Sequence, residues 1–308
     1  MRIVFFGNPD FCFYSLKKIN DSNYDLVSVV TSTDRKSGRG LKFISTFVKK
    51  TALEFNIPII EVDDIKSKEF ENKLISLKAD LFVVVAFKFL PDSIINIPKY
   101  GSINVHPSLL PKYRGSSPIQ YALLNGDSET GVSIIHLNNK IDSGAILGQK
   151  KINISPYANF QKMYEKLGQL SSELLISVIN DIDNGTSKSV AQDDSKKTLA
   201  PKIKKKQYRI DWQKKSLEIH NQIRAFDPYP GAYSFLNNKR IKLFLSKNED
   251  NFKYTNASPG QLIPSDGLLF ISAQQGFISV KEIQLEGKTR INASDFIKTL
   301  KDKIYIFD

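Results

Sequence analysis

The run Leu81-Phe82-Val83-Val84-Val85-Ala86 constrains this chain more than any other stretch. It has no polar side chain, three β-branched residues and no 3.6-residue stripe, and it is far too short to span a membrane. It reads as a central strand buried on both faces, which requires helices above and below a parallel sheet. The flanking sequence supplies them. Ile3–Phe6 and Leu26–Thr31 are further strand-like runs, and residues 11–20 and 47–55 have helical spacing. Strand alternating with helix predicts a doubly wound α/β sheet. Residues 159–184 then place Phe160, Met163, Leu167, Leu170, Leu174 and Val178 on one stripe, with Gly185 where a helix C-terminus belongs. This is a packing helix, and Met163 and its aromatic neighbours carry no functional weight.

The character changes after that helix. Residues 183–206 are polar and basic with little periodicity, as in a linker. Beyond Trp212 come short alternating runs punctuated by Asn237-Asn238-Lys239, Ser265-Asp266-Gly267 and Gln275-Gly276. Five or so strands in about 100 residues predict a small β-barrel, with the oligonucleotide-binding type among the candidates. A chain of 308 residues has room for two such domains. The expected division is 1–185, a basic linker over 186–207, and 208–308.

Several classes are excluded early. One cysteine, Cys12, rules out a disulfide framework or a Cys-rich zinc module, and it reads as a small buried apolar residue. Gly7-Asn8-Pro9-Asp10 follows the first strand but is not G-x-G-x-x-G, and neither a Walker motif nor a metal-ligand spacing occurs. The opening Arg2–Gly7 reads as a strand, and its turn comes too soon for a signal peptide, so a soluble, cytoplasmic protein is expected. Charge is the remaining clue. Lys and Arg number 44 against 32 acidic residues, a net +12. Residues 31–50 alone carry +5 and residues 196–215 carry +8, leaving −1 for everything else. Any one such run can be merely solvated, but two together suit an anionic partner.

The densest chemical signal is Gly101 to Gly115. Ser102–His106 reads as a strand halted by Pro107, so Asn104 and His106, two apart, project from one face. They stand at the strand's carboxyl end, where open α/β sheets bind ligands. An amide beside an imidazole suits stabilisation of an oxyanion at an attacked carbonyl. After a further strand, Val132–Leu137, Asp142 on a loop could orient an imidazole or accept a proton. Asn and His at a strand end are also common satisfied turn formers, and Asp-Ser-Gly is equally a plain turn. His136, in a strand, and His220, in a helical stretch, read as structural.

Asn104-x-His106-x-Ser108-Leu109-Leu110-Pro111-x-x-Arg114-Gly115 with a downstream Asp142 resembles the formyltransferases that use 10-formyltetrahydrofolate. Further stretches are similar to the branch of that family acting on methionyl-tRNA. They are Phe6-Gly7-Asn8-Pro9-Asp10-Phe11, Asp34-Arg35-Lys36-Ser37-Gly38-Arg39-Gly40, Ser117-Pro118-Ile119-Gln120, Glu129-Thr130-Gly131-Val132, Arg209-Ile210-Asp211-Trp212, and Ile223 to Gly231. The resemblance runs essentially end to end.

It implies a Rossmann-like formyltransferase domain that binds folate, followed by an oligonucleotide-binding-like barrel for tRNA. It makes Asn104, His106 and Asp142 the catalytic trio, and Ser108, Leu109, Leu110 and Pro111 the stretch contacting the folate co-substrate. Arg35, Lys36, Arg39 and Lys42 would enter the acceptor end of initiator methionyl-tRNA, and Lys204, Lys205 and Lys206 would follow its backbone. No metal, no membrane and a monomer are expected. A sugar-nucleotide N-formyltransferase would keep the trio but has no need of the basic linker. Two positions depart from the family pattern. Val84-Val85-Ala86-Phe87-Lys88-Phe89-Leu90-Pro91 is one residue short at the folate pocket and has Lys88 where glycine is usual, so the local backbone must differ. Lys36 replaces a proline usual in its loop.

Overall fold

The alternating runs of the first half form a seven-stranded sheet in the computed structural model, which describes residues 1–37, 42–252, 254–301 and 304–308. Strands β1 (Arg2–Gly7) and β2 (Asp25–Thr31) are followed by a separate two-stranded hairpin, β3 (Arg35–Ser37) and β4 (Lys42–Ile44). The main sheet resumes with β5 (Ile59–Glu61), β6 (Leu81–Val85), β7 (Ser102–His106), β8 (Glu129–His136) and β9 (Ile146–Asn153). Its spatial order is β5-β2-β1-β6-β7-β8-β9, parallel from β5 to β7, with β8 antiparallel to β7.

All five residues of β6 are buried, as the unbroken apolar run requires. Helices α1 (Phe13–Asn20), α2 (Phe47–Glu54), α3 (Lys68–Ser76) and α4 (Asp92–Ile95) form among the strands. On one side Val4, Phe6, Phe82 and Val84 cluster with Phe70 and Leu74 of α3 and Ile94 of α4. Thr46 and Ser67 cap α2 and α3 by accepting from Lys49 N and Phe70 N at 3.1 and 3.3 Å. Cys12 is fully buried as expected; its Sγ donates to the Val85 carbonyl at 3.1 Å, and burial pushes the thiol far up. The chain leaves β1 to one side and returns at β6 on the other. In an open α/β sheet such a switch point, here above the carboxyl ends of β1, β6 and β7, is where a ligand crevice belongs.

The molecule divides into two compact units that do not follow chain order. The first comprises residues 1–116, 130–152 and 164–200; the second comprises 117–129, 153–163 and 201–308. In the second unit, α5 (Pro118–Leu124) packs against a later helix of the same unit. That later helix follows α6 (Phe160–Asp183), which lies mostly in the first unit, and is α7 (Ser216–Ala225). An antiparallel six-stranded sheet follows, formed by β10 (Ala232–Leu236), β11 (Lys239–Asn248), β12 (Leu262–Ser265), β13 (Leu268–Ser272), β14 (Phe277–Leu285) and β15 (Arg290–Asn292). A short helix, α8 (Ala293–Ile297), follows β15. The first hairpin turns on Asn237 and Asn238 at φ 50° and 61°, the left-handed pair that a two-residue turn requires.

Residues 190–200, read from composition as linker, form a strap on the first unit. Val190 exchanges both backbone hydrogen bonds with Ile146 at 2.8 and 2.9 Å. Arg114 N donates to Thr198 O at 2.9 Å, and Ala200 N to Arg114 O at 2.7 Å. Between Val190 and Leu199 the strap leaves every side chain but Gln192 exposed, so it has no apolar period to read.

Candidate active site

Asn104 and His106 share a face of β7 at its carboxyl end, as their spacing predicts. Asn104 is half-buried, and its carboxamide has no hydrogen-bond partner among the described residues. His106 is 4% exposed, with Nε2 2.9 Å from the Tyr113 carbonyl oxygen. A carbonyl only accepts, so Nε2 carries a hydrogen and Nδ1 is the nitrogen left for chemistry. Nδ1 lies 3.6 Å from Asp142 Oδ2, which also accepts from Gly115 N at 2.8 Å. Tyr113 and Asp142 both hold positive φ, 64° and 48°, which non-glycine residues keep only where surrounding bonds over-determine them. The loop of Asp142 passes so close to β8 that a Cβ on Gly144 would stand 1.7 Å from the His136 carbonyl oxygen.

The four expected folate contacts separate into two kinds. Ser108 and Leu110 are buried; Leu109 and Pro111 are half-exposed. Ser108 Oγ donates to Lys112 O at 2.6 Å. The buried Ser133 Oγ donates to Ser108 O at 2.6 Å and accepts from Leu110 N at 3.0 Å and Gln149 Nε2 at 2.7 Å. Ser108 and Leu110 thus set the loop's shape, and Leu109 and Pro111 are the more exposed of the four side chains. The loop after β6 differs as its sequence requires: Ala86 takes the left-handed position, φ 49°. Lys88 Nζ donates to the carbonyls of Val62 and Asp63 at 3.2 and 2.9 Å, Phe87 lies edge-on to Phe6, and Phe89 is 56% exposed.

The basic residues are placed unevenly. Arg35 is exposed on β3; the backbones of Lys36 and Lys42 lie in β3 and β4, and Arg39 lies outside the described residues. Lys49, counted in the same +5 segment, is held by Asp34 at 3.0 Å and Glu61 at 2.9 Å, and its bond keeps the Asp34 carboxyl below the usual range. Lys204, Lys205 and Lys206 are exposed. Lys206 borders a cleft of about 410 Å³ with Arg209, Trp212, Gln213 and Phe307, where Trp212 stacks flat on Phe307.

Sequence reasoning missed the Tyr113 carbonyl and the Gly115 N–H, because backbone groups act whatever their side chains are. It also missed Gln192, whose Nε2 donates to the carbonyls of Asp142 and Gly144 at 2.8 Å each. His220 is held on both ring nitrogens, and His136, read as lying in a strand, ends β8. His220 bridges Ser246 Oγ at 2.8 Å and Pro156 O at 3.0 Å. Among the described residues no helix is long and apolar enough to cross a membrane.

Residues 1–179 match the family model described as formyl transferase, and residues 202–301 match that of the formyl transferase C-terminal domain. The class is thus a formyltransferase with both halves present. A methionyl-tRNA formyltransferase of Bacillus velezensis is 38% identical over 300 residues, 96% of this chain and 94% of that protein. The chain belongs to the methionyl-tRNA formyltransferase family.

Among solved structures, an N-formyltransferase from Helicobacter canadensis, in complex with folinic acid and dTDP-3-aminofucose, is similar at a TM-score of 0.70 and 24% identity. That match covers 90% of this chain and 97% of the other. HypX from Aquifex aeolicus with tetrahydrofolic acid is similar at 0.65 and 18%, over 98% of this chain, which spans about half (48%) of HypX. At these identities both speak for the fold.

Proposed function

We propose that this chain transfers the formyl group of 10-formyltetrahydrofolate to the α-amino group of methionyl-initiator-tRNA in the cytoplasm. The observation that carries the reading is the convergence of Asn104, His106 and Asp142 at the carboxyl edge of β7. The crevice fits a formyl donor because the Asn104 carboxamide is unpartnered among the described residues, and Leu109 and Pro111 remain half-exposed nearby in the chain. When bound, the folate supplies the formyl carbon and a nitrogen leaving group.

The protein's residues do the rest. An α-amine with a pKa of about 7.7–8.0 is partly neutral at working pH, so positioning matters more than activation of the nucleophile. Asn104 donates to the formyl oxygen. His106, with Nε2 committed to Tyr113, is oriented with Nδ1 3.6 Å from the Asp142 carboxylate and stabilises the charge that develops on the oxygen. Asp142, with a water, takes the proton lost by the amine as its nitrogen bonds to the formyl carbon. It passes that proton to the folate nitrogen as the old bond breaks.

Arg35, exposed on β3, and the exposed lysines at 204–206 would neutralise tRNA phosphates, so the Michaelis constant for tRNA should rise steeply with salt. The decisive assay offers 10-formyltetrahydrofolate with either charged initiator tRNA or an amino-sugar nucleotide. Formylation of the tRNA is expected, and formylation of the sugar instead would overturn the reading.

A further inference from the structure

We propose that Gln192 is a positioning residue for the Asp142 carboxylate, which makes the 190–200 strap part of the active site. The inference rests on the reading of Asp142 as the proton-handling group.

The sheet alone does not place Asp142. β8 runs antiparallel to β7 with His136 opposite Ile103, three residues before His106. At 3.3–3.4 Å per residue the loop therefore starts about 10 Å from the imidazole's Cα and must bring Asp142 back along the strand. Within the loop, Lys140 N and Ser143 Oγ both donate to Asn138 Oδ1 at 3.0 Å, which shapes the loop but ties it to nothing else.

Gln192 supplies the tie. Its Nε2 donates one hydrogen to Asp142 O and one to Gly144 O, both at 2.8 Å, so a single amide ties down the left-handed residue's own carbonyl and the chain just after it. Its Oε1 accepts from Arg114 Nε at 3.0 Å and Nη2 at 2.7 Å. Both donors and the acceptor of the carboxamide are thus in use. Arg114 is itself 7% exposed, pairs through Nη2 with Asp194 at 2.6 Å, and directly precedes the glycine whose N–H holds Asp142 Oδ2.

The carboxylate and its backbone are therefore fixed by the same short stretch, Tyr113 to Gly115, that fixes His106 Nε2. The strap secures that stretch too, since Thr198 Oγ1 accepts from Tyr113 N at 2.8 Å. Within residues 188–199 Gln192 is the one side chain not exposed. Chain connectivity adds nothing here: Gln192 is 50 residues from Asp142 in sequence.

The test is a double-mutant cycle on the full chain with 10-formyltetrahydrofolate and charged initiator tRNA. Gln192→Ala should lower kcat by about 10–100-fold, the scale of a misplacement near 1 Å, with both Michaelis constants within about twofold. In an Asp142→Ala background the same substitution should cost nothing further, because it acts through the carboxylate. A merely structural role would lower kcat by the same factor in both backgrounds, and that result would overturn the proposal.

Gln192→Glu provides the second variant. It keeps an acceptor for Arg114 but sets an oxygen against the two carbonyls, so it should fold and lose kcat at least as far; should Gln192→Ala not fold, the same cycle is read from it. Full activity in Gln192→Glu overturns the proposal. Loss in Asp142→Ala with none in the Gln192 variants overturns this inference alone. Near-normal turnover in Asp142→Ala overturns the reading of the carboxylate, and the inference with it.

Discussion

The turn after β7 and the basic segment at 204–206 are both polar, yet they hold their polar groups in opposite ways. In the turn nearly every group is committed: His106 to Tyr113, Asp142 to Gly115, Ser108 to Lys112, and Leu110 to Ser133. At 204–206 three ammonium groups stand exposed one after another. Making and breaking a bond needs atoms held to fractions of an ångström, whereas attracting a polyanion needs charge within roughly 8 Å, the screening length at physiological salt. Order is spent where geometry decides the rate, and withheld where only charge does.

Asn104→Ala and Asp142→Ala should break the ordered side of this contrast hardest. Each should lower kcat by at least the ~10²–10³ typical of a lost oxyanion donor, with the thermal midpoint near that of the parent, measured by single-turnover formylation. Gly144→Ala comes next. Its methyl group would stand 1.7 Å from the His136 carbonyl oxygen, so the Asp142 loop must shift. A kcat loss of about tenfold or more is expected, with a lowered thermal midpoint.

On the other side, replacing Lys204, Lys205 and Lys206 together with Ala should leave kcat intact and raise the Michaelis constant for tRNA about tenfold at low salt. The dependence on log salt should flatten by up to about one for each phosphate that is no longer neutralised. A kcat collapse in that triple variant would erase the distinction between the two regions.

The smallest effect concerns a committed group that performs no chemistry. Burial pushes the His220 imidazole below its ordinary value of 6.5. The native state then binds fewer protons than the unfolded chain, so stability is complete above the unfolded value and declines as pH falls below about 6.5. Chemical denaturation between pH 7.5 and 5.5 should show that decline. His220→Gln should flatten it while leaving the kcat profile unchanged.

Legibility in the sequence followed side-chain periodicity. The run at 81–86 announced a strand buried on both faces, and Asn237-Asn238-Lys239 announced a turn between two strands, although Lys239 itself opens β11. The pairing of Asn104 with His106 followed from their spacing of two. Asp142 could be attached to them only through resemblance, since a loop residue's reach is set by contacts elsewhere. Tyr113 and Gly115 were illegible because they act through a backbone carbonyl and amide, which every residue carries; the strap acts largely in the same way, and its one inward side chain, Gln192, stands alone in a polar run. The polar run at 190–200 looked like a tether because its main-chain bonds leave no pattern and its two side-chain ties, from Gln192 and Thr198, have no period.

That strap bears on how such enzymes can be taken apart and recombined. The two matched family models end at residue 179 and resume at 202, so residues 190–200 fall in the seam between them. A chimera joined at the natural-looking boundary after Gly185 would bring in a foreign partner's connecting segment, and with it whatever that segment offers in place of Gln192 and Thr198. Only a cut after Ala200 leaves the catalytic residues with their own strap, and such a chimera must still match residues 117–129 and 153–163, which group with the second unit.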